Sequence, residues 1–159
     1  MVGSRRWEVG DHTHLDHHTV PSGPSGQKQS ALVNRTWNPL TRALEPLPAA
    51  EVRVSSDLDR PLSVLRQQGL ARPVAFAYPF SRVTGPTNDP VFCEDSERLA
   101  ARLFPLCFTN DSSGRLATPA DLVAGLVPRF EIHRHVDVVQ LWGQLFAADR
   151  TAGARTSTT

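Results

Sequence analysis

A chain of 159 residues with 40% hydrophobic and 21% charged side chains is sized for one ordinary domain with a core, and leaves little room for two. A formal net charge of +1 argues against a nucleic-acid partner held by a strong basic field, and no apolar run reaches the roughly 18 residues of a membrane-spanning helix. Two cysteines are too few for a disulfide scaffold, while 13 prolines and 10 glycines predict many loops.

In chain order, the opening MVGSRRWE has Arg5 and Arg6 but no apolar stretch behind them, so it does not read as a secretory signal. No other segment addresses the chain to a compartment, and localisation stays open. Trp7-Glu8-Val9 alternates and reads as the end of a strand. Residues 11–29 form a long polar loop, and residues 32–48, with Trp37 and three prolines, read as irregular. From Glu51 to Gln68 the apolar Val54, Leu58, Leu62 and Leu65 mark one helical face. Pro61 inside it predicts a kink or a fresh helix from near Asp59. Pro73 to Ala77 reads as a buried strand that Tyr78-Pro79 ends. Residues 81–92 read as loop, 95–104 as helix, 106–109 as strand, 110–118 as loop and 130–132 as a third strand. Residues 136–148 carry a wide apolar face that includes Trp142, which places Trp142 in a core. Cys93 and Cys107 are expected as two buried free thiols. The alternation of strand and helix predicts an α/β fold with a parallel sheet or barrel. The domain is expected over residues 1–148, with a frayed polar tail at 149–159.

The strongest chemical signal is a cluster of four histidines, His12, His14, His17 and His18, with Asp11 and Asp16 among them. Neutral imidazole is a preferred ligand for zinc and similar ions, and carboxylates supply compensating charge. Three arrangements fit the spacing. His12 and His14 share a face if the segment is extended, His14 and His18 share one if it is helical, and His12 meets His17 only across a turn. The residues alone do not choose among them.

Two families are similar here. His12 to His17 (HTHLDH) matches the H-x-H-x-D-H signature of metallo-β-lactamase-like hydrolases, but the downstream G-H-[ST]-x-G-H ligands are absent. The second resemblance covers more of the chain. Trp7 to Thr13 (WEVGDHT) resembles the W-E-[IV]-G-[SN]-H-T segment of polysaccharide deacetylases. His12 to His18 (HTHLDHH) is similar to the H-T-x-x-x-H-H form of the branch acting on poly-N-acetylglucosamine. Asp57 to Leu65 resembles the helix that follows, Ala75 to Phe80 (AFAYPF) the F-A-Y-P-[FY]-G segment with Ser81 for glycine, and Pro128 to Ile132 (PRFEI) a late P-R-[FIV]-x-[VI] strand. The order of these segments, from Trp7 to Phe146, favours the deacetylases.

That resemblance implies a partial, distorted (β/α) barrel lacking its first strands, and a carbohydrate N-deacetylase that removes N-acetyl groups from an amino-sugar polysaccharide. It implies a divalent metal, zinc above all, held by His12 and His17. His14, Asp16 and His18 are then outer partners that orient the ligands, or alternative ligands. The Tyr78 backbone N–H is the implied oxyanion donor. The family's catalytic base belongs to an adjacent Asp-Asp pair, which these 159 residues do not contain. A chain short of that strand is expected to be weakly active or a non-catalytic remnant, with Met1 an internal start. An unpaired sheet edge then predicts self-association. His133 and His135 are expected on the surface, though either is a site candidate.

Overall fold

The computed structural model describes residues 8–81, 86–110, 116–129 and 136–143. The chain divides into two compact units, Met1–Cys107 and Phe108–Thr159.

The first unit is built around one long helix. Strands β1 (Thr19–Pro21) and β2 (Lys28–Ser30) pair antiparallel, with Val20 opposite Gln29. Their connection is closed by the Ser22 N–H donating to Gln27 O at 2.8 Å, with Gly26 at φ 74°. A 3-10 turn, Ala31–Val33, then drives three apolar side chains into the interior. A second hairpin, β3 (Trp37–Asn38) and β4 (Ala43–Leu44), turns over Asn38, whose side-chain oxygen accepts from Leu40 N and Thr41 N. Both hairpins lie where the sequence predicts loop. Their strands are two or three residues long, too short to show a period of two.

Helix α1 runs from Leu47 to Gln67 without a break. It starts on prolines that cost nothing where helical N–H groups have no partner. It ends with Gly69 at φ 70° and a Leu70 N–H to Leu65 O bond, a left-handed cap that suits glycine. The fresh helix start expected near Asp59 is not seen, and Pro61 sits inside the continuous helix. The predicted face explains why. Val54 and Leu58 are buried before the proline, Leu62 packs on the same core after it, and this continuous apolar contact offsets the missing bond. Strand β5 (Ala75–Ala77) puts Phe76 into that core, edge-on to Tyr78 and stacked on Phe104.

Helix α2 (Pro90–Leu103) starts five residues before the predicted one. Asp89 caps it by accepting from Phe92 N at 3.1 Å, and Pro90 occupies the first turn, a start signal that is local and polar rather than periodic. Phe92, Cys93, Ser96 and Ala100 face the core. Both cysteines are buried thiols outside any disulfide, as expected. Strand β6 (Leu106–Asn110) neighbours β5, and Leu106 N–H donates to Val74 O.

In the second unit, β6 neighbours β7 (Leu126–Arg129). The sequence reading leaves this region unassigned before a strand at 130–132, which lies outside the described residues. Between them α3 (Pro119–Ala124) has a reciprocal cap of Thr118 and Asp121 and ends at Gly125, φ 72°. Residues 138–143 are helical, as predicted. Trp142 is not in a core, however, and is 55% exposed. Among the described residues of this unit only Val127 and Pro128 are buried. No helix among the described residues is long and apolar enough to cross a membrane.

Candidate metal centre at the histidine loop

The loop that carries the histidines is fixed at both ends and in the middle. At its start Asp11 makes a parallel bridge to Phe76, with Asp11 N–H on Ala75 O at 2.8 Å and Ala77 N–H on Asp11 O at 2.9 Å. At its end Ala31 N–H donates to His18 O at 3.0 Å, next to the β1–β2 hairpin. Between them the backbone is neither helix nor strand, so the turn arrangement is the one adopted.

That turn brings His12 and His17 together, with ring centroids 4.7 Å apart and ring planes at 54°. His17 in turn stacks on Phe80 at 4.9 Å. His12 Nδ1 lies 2.6 Å from Ala77 O. A carbonyl only accepts, so Nδ1 carries the proton and Nε2 keeps its lone pair, the arrangement by which a backbone carbonyl orients a ligating imidazole. His18 Nδ1 donates to Leu15 O at 2.9 Å and is oriented in the same way. Phe80 has φ 54° and ψ 31°, a left-handed backbone that is costly for a bulky residue. It is held at the mouth of the pair, 48% exposed.

Asp16, expected beside the ligands, is spoken for. Its carboxylate is 2.8 Å from Arg53 Nη1. Arg53 also donates to Ala31 O, Asn34 O and Glu45, so Asp16 belongs to a structural network under the loop. Burial pushes the Asp16 carboxyl above its ordinary value, and the Arg53 charge opposes that. Asp57 is the residue that sequence reasoning left without a role. Its carboxylate accepts from three successive backbone N–H groups, His14 (3.1 Å), Leu15 and Asp16 (3.1 Å). No side-chain pattern announces such a contact, because its partners are main chain. On either side of His12, Asp11 Oδ2 and Thr13 Oγ1 are buried without a hydrogen-bond partner among the described residues. Burial raises the Asp11 carboxyl, opposed by the N–H groups of Thr13 and His12.

The Tyr78 ring is 2% exposed and packs in the core, where burial pushes its phenol up. Its N–H shares a peptide with Ala77 O, which points at His12. No peptide among the described residues is cis, and in a trans peptide the two groups point opposite ways, so the Tyr78 N–H leaves on the side away from His12. His133 and His135 lie outside the described residues. A groove of about 710 Å³ between α1 and α2 is lined by Glu51, Val52, Asp95, Leu99 and Arg102 among others, and by no residue of the histidine loop.

Do these residues fit a divalent ion? Among the described residues, no group of three or more His, Cys, Asp or Glu side chains converges to hold one. The donor set is two imidazoles, one of them oriented by Ala77 O so that Nε2 faces away from that carbonyl. It fits an open site that takes its remaining ligands from water, substrate oxygen or a further carboxylate, and not a closed structural site.

No protein-family model matches the sequence, and no curated protein does. Solved structures do match. One is a de-N-acetylase from Aggregatibacter actinomycetemcomitans, with a TM-score of 0.66 and 17% identity over 87% of this chain and 47% of that one. Another is the BpsB deacetylase domain from Bordetella bronchiseptica, with a TM-score of 0.60 and 21% identity over 77% of this chain and 42% of that one. The chain thus spans less than half the length of either, and over the shared stretch it has the fold of these deacetylase structures.

Proposed function

We propose that the chain carries one wall of the active site of a metal-dependent carbohydrate N-deacetylase, which removes N-acetyl groups from an amino-sugar polysaccharide. One observation carries the reading: His12 and His17 stand ring against ring at the end of β5, with His12 held by Ala77 O so that Nε2 is free. The deacetylase fold of the structural neighbours supports it. In the same reading β5, β6 and β7 are strands of a partial barrel, and the histidines sit at its rim.

His12 and His17 would hold the cation. When bound, a divalent ion such as zinc polarises an acetamide carbonyl and makes its water a better nucleophile near neutral pH. The chain's own residues do the rest of what is visible. Ala77 O holds the His12 proton on Nδ1. Phe80 shields one face of His17, and its exposed edge offers an apolar surface to a sugar ring. A general base is not supplied by an Asp-Asp pair within these residues. Turnover by the chain alone is therefore expected to be slow. In the second unit, the exposed Val123, Val138, Val139 and Trp142 are consistent with copies of the chain associating.

The test combines zinc affinity, by competition with a chelator, and acetate release from N-acetylglucosamine oligomers. His12→Ala and His17→Ala should each weaken zinc binding at least about tenfold and abolish any zinc-dependent release. His14→Ala should do much less. Zinc binding that depends on His14 and not His17 would instead support the metallo-β-lactamase-like reading. Undiminished binding in His17→Ala contradicts the ligand assignment.

A further inference from the structure

We propose that Asp57 is the positioning residue of the histidine pair, a role that rests on reading His12 and His17 as a cation site. Burial of the loop's own side chains does little to hold its turn. His12, His14, Leu15, His17 and His18 are all exposed, so side-chain packing does not fix it. Thr13 adopts φ 70°, a conformation a β-branched residue avoids unless its neighbours impose it. The imposition comes from helix α1. Asp57, 7% exposed, gathers the N–H groups of His14, Leu15 and Asp16 on one carboxylate. Arg53, one helical turn earlier, holds the Asp16 side chain at 2.8 Å. His17 follows Asp16 directly.

The two rings are therefore positioned by different elements. His12 is set by β5 through Ala77 O, and His17 is set by α1 through the turn that Asp57 ties. The N–H groups of Leu15 and Asp16 meet one carboxylate oxygen and that of His14 meets the other, so a carboxylate accepts all three, whereas a carboxamide keeps one acceptor oxygen and sets its NH2 against the remaining N–H. Replacing Asp57 by asparagine removes the charge and breaks the bond to one side of the turn, which weakens the tie while keeping the size of the side chain. It should release His17 and leave His12 in place, whereas a general loosening of the fold would disturb both.

The experiment uses the full chain, free of metal, labelled for NMR. In the wild type, His12 and His17 ring protons should show a mutual nuclear Overhauser contact, and His17 should show one to Phe80. In Asp57→Asn both contacts of His17 should vanish and the His14, Leu15 and Asp16 amides should exchange at least about tenfold faster. The His12 Nδ1–H signal on Ala77 O should stay. Asp59→Asn, the same charge change at an exposed position of the helix, should alter none of these. Persistence of the His17 contacts in a folded Asp57→Asn overturns the proposal. Should that variant not fold, amide exchange in the wild type decides: protection of His14, Leu15 and Asp16 supports the tie, and exchange at unstructured rates overturns it. Absence of the His12–His17 contact in the wild type overturns the site reading and this proposal together. Rings that respond as described in a chain that binds no zinc overturn only the metal reading.

Discussion

At the scale of single residues, the site depends on polar groups whose partners are backbone. His12 finds Ala77 O, Asp57 finds three N–H groups, and Asp89 finds Phe92 N. The imidazole pair was legible, because the five-residue spacing of His12 and His17 fits one family form and the turn realises it. Asp57 and Arg53 were not, since a carboxylate on a helix reads as a solvated charge until the loop folds over it. Asp89 allows a clean test by pH. The Arg35 guanidinium, 2.7 Å away, and the helix cap hold its carboxyl below the ordinary 3.8. The folded chain thus binds fewer protons at Asp89 than the unfolded chain. The stabilisation is complete above the unfolded value and is lost as pH falls through the lower native one. Thermal melts should show the wild type losing about 1 kcal/mol more than Asp89→Asn as pH falls through the ordinary carboxylate range and below it. Parallel pH profiles for the two would contradict this.

At the scale of elements, α1 does two jobs with two faces. Ala50, Val54 and Leu58 pack the core, while Arg53 and Asp57, each one residue earlier than a core position, hold the histidine loop. The periodicity of the apolar face fixed the existence of this helix but not its passage through Pro61. A proline rule is local, whereas the packing of Leu62 is tertiary. The hairpins went unread for a related reason, their strands being shorter than any period they could display. Because α1 links core and site, a core cavity should loosen the loop as well. Leu58→Ala, at a fully buried position, should cost about 2–5 kcal/mol in denaturant unfolding. A cost below ~1 kcal/mol would mean that the α1 face is not the core described here.

At the scale of the whole molecule, the chain is two compact units that together cover less than half the length of the deacetylase structures they match. The α/β class was legible from alternating elements. The described strands fall into sheets of two, two and three strands, with the histidines beside β5 of the largest. The second unit was read least well. Its Trp142 was expected in a core on helical spacing, yet the described part of that unit offers hardly any buried surface to receive it. The most direct test of the account is a zinc titration of the chain followed at the imidazole nitrogens by NMR. The account predicts that Nε2 of His12 and Nε2 or Nδ1 of His17 shift together as zinc is added, while His12 Nδ1 stays protonated against Ala77 O. Zinc taken up by His14 and His18, with His12 and His17 unmoved, would contradict it.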